Sequence, residues 1–310
     1  MTTSTLSLML AAALLAPAPA LAARYDPDAD RAALRQAATL SHSTVVDATG
    51  RALEPEQVPA ITAGLDEGLR LAQAASAAAR SLDAAAQKRA AEMEAGVKAS
   101  SELKIKELSE PIAAERLRRE RLSAEHEELK TKVEGLPDED KKKLLPLLAK
   151  AANALGSAAD ALRPLESSVK IMSEQALEMK EARQDALGPF SEVASGASGV
   201  IARAEDLPAP LAEAKARLGA LGQEPRNVAR NRAWEKLELL RGITSGLFQA
   251  ADRACNRADD FRRRSASYEK AFSVFEDARR GASSGPAGAK ALLDEAHKTL
   301  ALVRERLKKP

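Results

Sequence analysis

The sequence predicts an all-α protein, an elongated bundle of long antiparallel helices with coiled-coil-like heptad packing and one projecting helical hairpin. Three observations carry that prediction. From Leu144 to Ala186, positions 144, 148, 151, 155, 158, 162, 165, 169, 172, 176, 179, 183 and 186 advance in steps of four and three. They read Leu, Leu, Ala, Leu, Ala, Leu, Leu, Val, Met, Ala, Met, Arg, Ala. A second seam passes through Ala233, Leu237, Leu240, Thr244, Leu247, Ala251, Ala254, Ala258, Phe261, Ser265, Tyr268, Phe272 and Phe275, with no charged member. An apolar repeat of about 3.5 residues sustained over many turns marks a helix packed lengthwise against another. Finally, no window alternates β-branched and polar residues with period two, so strands are not expected.

Composition agrees with long, thin seams. Aromatics make up 3% of the chain and charged residues 30%, and alanine dominates the apolar class, which suits amphipathic rods better than a thick globular core. The formal net charge of +2 is too small for electrostatic capture of nucleic acid.

Taken in order, residues 1–22 read as a signal peptide. Leu6 to Leu15 is an apolar run, followed by Pro17, Pro19 and the small-x-small pattern Ala20-Leu21-Ala22, which places cleavage after Ala22, with Ala23 as the runner-up. The alternative is an internal Ala-rich helix, because no Lys or Arg precedes the run. The run is shorter than the roughly 20 residues a membrane span needs. Export to the periplasm or the extracellular space, as a soluble chain after signal removal, is therefore the expectation.

Residues 23–53 read as a lead with a short helix over Asp30 to Leu40, and residues 54–310 as the bundle. Glu54-Pro55-Glu56 suits a helix start, and Val58, Leu65, Ala72, Ala79, Ala86 and Met93 recur every seventh position. Alanine offers little area to bury, so this helix needs close approach over many turns, which Gly64, Gly68 and Gly96 would permit. Pro111 interrupts the pattern. The charged stretch Glu115 to Lys132 has only Leu117, Leu122 and Leu129 to bury, as in a two-stranded projection. A hairpin over about 112–161 follows, its tip near Gly135-Leu136-Pro137-Asp138, with Gly ending one helix and Asp138 capping the next.

Gly188-Pro189 reads as the end of the organising helix, and Pro208 and Pro210 as breaks in the next. Between Gly188 and Ala202 Glu192 is the one charge, but the stretch is too short to cross a bilayer. The C-terminal helices are expected at 226–280 and 288–309, joined by a flexible Gly/Ser/Pro loop. The first of them holds Trp234, Phe248, Phe261, Tyr268, Phe272 and Phe275, six of the eight aromatics, read as core.

No residue set suggests catalysis, a cofactor or a metal: His42, His126 and His297 are isolated, and no Gly-rich phosphate loop or Gly-x-Ser-x-Gly elbow occurs. Two features remain as candidate sites. Arg118, Arg119, Arg121, Lys141, Lys142 and Lys143 form a candidate partner-docking tip, although interleaved acids make a solvated face the competing reading. Cys255, the single cysteine, is either a shielded thiol or an intermolecular disulfide. The expected role is that of a scaffold or adaptor binding protein partners, a second copy among them. An amphipathic membrane-surface binder is the alternative.

Overall fold

A computed structural model describes residues 25–223 and 225–308, so the predicted signal peptide lies outside the described residues. Among the described residues the regular structure is helical: α1 (Asp28–Thr49), a 3-10 turn (Pro55–Gln57), α2 (Val58–Ala99), α3 (Glu102–Glu134), α4 (Asp138–Asp206), α5 (Pro208–Gly219), α6 (Arg226–Ser284) and α7 (Pro286–Lys308). The predicted all-α class is the observed one. Of the thirteen seam positions in α4, ten are buried, and Val169, Ala176 and Arg183 are half-buried. The opposite face, Asn153, Asp160, Ser167, Glu174 and Glu181, is exposed throughout. In α6 every seam position is buried except Phe272, which is half-buried.

The described residues divide into two compact units, 25–92 with 184–265, and 93–183 with 266–308. In the first unit, α1 lies antiparallel to both α2 and α6. Against α2, the Ser41 hydroxyl donates to the Gly68 carbonyl at 2.8 Å. Gly68 is required there because a Cβ would stand 2.5 Å from Val45 Cγ2, and Gly64 likewise faces Ala48. Against α6, Arg262 pairs with Asp28 at 2.8 Å, Arg35 donates to Asn256 at 2.8 Å, and His42 Nδ1 meets the Thr244 hydroxyl at 3.2 Å. Tyr25 and Phe190 close on Phe261, with ring centroids 5.2 and 5.8 Å away. The last turns of α4 run antiparallel to α6, with Glu192 on Arg257 at 2.6 Å and Gly199 against Ala250.

In the second unit, Leu122, Leu129 and Val133 of α3, Leu144, Leu148, Ala151 and Leu155 of α4, and Leu293, Ala296, Leu300 and Val303 of α7 share one core. The hairpin is thus a three-helix layer over its length rather than a two-stranded projection, because α7 packs on α3. Arg118 to Asp294 at 2.6 Å and Lys150 to Glu295 at 3.1 Å lace α7 to both partners. Leu117, read as buried, is 54% exposed, and His126 occupies the seam instead, its Nε2–H donating to the Leu148 carbonyl at 3.2 Å. Arg183, the break in the α4 seam, reaches Glu94 at 3.5 Å. Gly96 leaves room for Tyr268, whose hydroxyl would stand 1.8 Å from an added Cβ.

Four boundaries differ from those read in the sequence. The N-terminal helix covers Asp28–Thr49, not 30–40, since Leu34, Ala38, Ser41, Val45 and Ala48 all bury along it. α3 begins at Glu102 and runs through Pro111, with Ile105 and Ile112 buried on either side. α4 continues through Pro189 to Asp206. A proline inside a helix costs about 3 kcal/mol, whereas Val193 and Val200, both fully buried beyond it, each contribute about 1.5–3 kcal/mol. Packing decides in favour of continuity. The expected loop at 281–288 shrinks to a bend at Gly285, because Ala282 and Ala289 are buried and Gly285 lies against Leu165. The hairpin tip sits where expected, but Gly135 is right-handed (φ −83°). Its turn carries a bond from Leu136 N–H to the Val133 carbonyl at 3.1 Å, and α4 opens with Lys141 N–H donating to the Pro137 carbonyl at 3.1 Å, while Asp138, Glu139 and Asp140 complement the positive end of α4.

Candidate functional site

The six cations of the predicted docking tip fall into two sets. The His126–Leu148 contact fixes the α3–α4 register and puts Lys141, Lys142 and Lys143 beside the last turn of α3. Arg121 lies about ten residues, roughly 15 Å, further along the helix. Arg118 is committed to α7 through Asp294, a hydrogen bond that raises the guanidinium pKa and holds the Asp294 carboxyl below its ordinary range. Arg119 is half-buried and Arg121 exposed. Lys141 and Lys143 reach Asp138 and Asp140 at 3.7 and 3.8 Å, and Lys142 is exposed. Acids and bases alternate at the tip, and exposed pairs of this kind carry about 0.2–1 kcal/mol each.

Cys255 is fully buried in the first unit, where its thiol donates to the Arg31 carbonyl at 3.4 Å. Burial pushes the thiol pKa up, against smaller lowering effects of Arg35 and Arg31. A bond to a second chain would need access that this packing withholds. The residue is adjacent to the seam and α1 covers it.

The feature that sequence reasoning missed is a groove of about 920 Å³ in the first unit, where α4 gives way to α5. Ala202, Arg203 and Asp206 line it from α4, and Trp234, Glu235, Glu238, Leu239, Gly242 and Ile243 from α6. The antiparallel pairing of α4 with α6 reaches Arg203 opposite Gly246. Beyond it, Pro208 at the start of α5 ends α4 at Asp206. α5 takes up the pairing with α6, Glu213 reaching Lys236 at 2.5 Å, and the groove opens beside this junction. Trp234 is 46% exposed and Leu239 47%, and nothing lies within 4 Å of the space a Cβ on Gly242 would take.

The groove has an acidic rim. Arg241 stacks over the Trp234 ring at 5.3 Å and donates to Glu238 at 3.3 Å and to the Thr49 hydroxyl at 2.5 Å, which fixes one face of the indole. Arg203 turns back to the Gly199 carbonyl at 3.1 Å. Asp206 and Glu235 are exposed and make no ion pair among the described residues. The signal for this site was in the sequence: Trp234 sits beside Ala233 of the seam, one residue off it, whereas Phe261 and Phe275 lie on it.

At the start of α2, Arg226 and Arg230 clasp Glu54, and Arg230 also donates to the Leu53 carbonyl at 3.1 Å. The hydrogen bond from Arg230, followed by that from Arg226, holds the Glu54 carboxyl below its ordinary range. This clasp fixes the α1–α2 connection onto α6.

Among the described residues no group of three His, Cys, Asp or Glu side chains is placed to hold a metal ion, and no helix is long and apolar enough to cross a membrane. No protein-family model, curated protein or solved structure matches this chain.

Proposed function

We propose that this chain is an exported, non-enzymatic helical scaffold or adaptor that docks a protein partner in the cell envelope or outside the cell. The observation that carries the reading is the Trp234 groove. Seam residues of α4 and α6 are taken up in helix packing, while Trp234, Leu239 and Ile243 leave an apolar strip open beside them. Tryptophan, with tyrosine and arginine, is enriched among the anchors of protein interfaces. The apolar run Leu6 to Leu15 supports export.

A photo-crosslinking residue at position 234, with a control at exposed Lys130, tests this in cells that express the full chain. A discrete protein adduct specific to position 234 and formed outside the cytoplasm is the expected outcome. Equal, diffuse labelling at both positions would contradict it.

A membrane-surface role is favoured by a different observation, in the second unit. There Leu103 and Leu177, 73% and 57% exposed, open onto a groove also lined by Lys98, Lys106 and Lys180. Lysines at the edge of an apolar sector suit anionic lipid headgroups. Flotation with anionic vesicles that weakens in Leu103→Ser would support this role, and absence of flotation would remove it.

A further inference from the structure

We infer that the occupant of the Trp234 groove is a basic amphipathic helix of a protein partner, its apolar face on Trp234, Leu239 and Ile243 and its Lys or Arg residues on Asp206, Glu235 and Glu238. This rests on reading the groove as a docking site and adds the chemistry of what docks there. The groove is walled by two helices, and its α6 side runs from Trp234 to Ile243, about two and a half turns. Two to three turns of a helix laid in the groove would cover the exposed Trp234 and Leu239, with anchors at helical spacing.

Charge selects the kind of helix. Three carboxylates and one guanidinium line the groove. The guanidinium, Arg203, is turned toward the Gly199 carbonyl, and Arg241 offsets only Glu238. Asp206 and Glu235 are both exposed at the mouth of the groove, so a cation there meets two carboxylates that no neighbouring base among the described residues already holds. The same field opposes an anionic membrane and an acidic helix.

Trp234 is the single tryptophan of the chain, so its emission reports on this groove alone. The full chain is titrated with an amphipathic helical peptide of Leu and Lys, with its Leu–Glu counterpart, and with anionic vesicles. The expected result is a saturable blue shift with the Lys peptide and little response to the other two. The double variant Asp206→Lys with Glu235→Lys should weaken Lys-peptide binding about tenfold or more, two attractive rim pairs having become repulsive. Both substitutions are on exposed positions. Gly242→Leu fills open space, improves helix propensity and should block the peptide without unfolding the chain.

If the Glu peptide shifts Trp234 as well as the Lys peptide does, and Gly242→Leu blocks both, docking at the groove stands and the basic assignment falls. A shift produced by vesicles, or by raising the concentration of the chain alone, also overturns the assignment, in favour of lipid or a second copy. If neither peptide nor vesicles nor chain concentration moves the emission, the docking reading falls with it.

Discussion

Replacing Gly68 by alanine should destabilise the protein, although glycine to alanine inside a helix ordinarily helps. The ordinary gain is about 1 kcal/mol, from helix propensity and the lost freedom of the unfolded glycine. At Gly68 the new methyl would stand 2.5 Å from Val45 Cγ2. Val45 is 1% exposed, and a β-branched side chain in a helix has essentially one χ1 rotamer to use. The clash must therefore be relieved by moving α1 away from α2. Overpacking of this kind costs about 1–3 kcal/mol, and the movement also stretches the buried Ser41 hydroxyl bond to the Gly68 carbonyl, worth about 1 kcal/mol. The net loss is about 1–3 kcal/mol. Gly242 supplies the internal control, since alanine there meets nothing within 4 Å and should gain about 0.5–1 kcal/mol. Urea unfolding followed by circular dichroism reads both variants. If Gly68→Ala proves as stable as the parent chain, or the two variants change stability in the same direction, the close α1–α2 approach is wrong.

Phe261→Ala, which removes the ring between Tyr25 and Phe190, should cost about 3–5 kcal/mol in the same assay; a loss under about 1 kcal/mol would contradict its place in the core. Acid should weaken the fold in a defined direction. Donors on Arg230, Arg70, Lys98, Lys132, Lys236, Arg263 and Arg118 hold Glu54, Glu67, Glu94, Glu128, Glu213, Asp260 and Asp294 below their ordinary values of 4.5 for Glu and 3.8 for Asp. Groups with depressed folded values contribute stability above the unfolded value and lose it as pH falls through the folded one. The urea midpoint should thus drop below about pH 4.5, and less so in high salt because these pairs are exposed; a midpoint that rises with acid would refute the pairing. Cys255 should resist thiol reagents in the native chain and react fully in denaturant, and a disulfide dimer formed from native protein would overturn its burial.

Much of the fold was legible because each long helix declares its buried face through spacing. The α4 and α6 seams, and the solvated positions opposite them, could be read without knowing any neighbour. Which neighbour covers a face could not, because periodicity fixes an orientation about one axis and nothing more. The charged helix α3 looked like half of an isolated pair for that reason, and its cover, α7, comes from 150 or more residues later in the chain. α1 was underread because Ser41 and Ala38 stand where larger apolar residues would have advertised the seam, although Leu34, Ala38, Ser41, Val45 and Ala48 keep its spacing.

Prolines misled in the opposite sense. Pro189 carries a local cost that sequence reasoning can see, while the compensating burial of Val193, Ala197 and Val200 is a tertiary effect. The groove was missed for a related reason. Six aromatics on one helix suggested a core, but Trp234 and Phe248 both lie one residue off the seam; Phe248 is half-buried against His42, while Trp234 stays exposed at the groove.

The central claim is that packing along an unbroken seam, rather than local propensity, decides where these helices run. Hydrogen–deuterium exchange across Ala186 to Val200 tests it most directly, because local signals alone would end a helix at Gly188-Pro189. Slow exchange on both sides of Pro189, with protection close to that of the seam around Leu162, is the result this account predicts. A fast-exchanging break at Gly188 to Ser191 would contradict it.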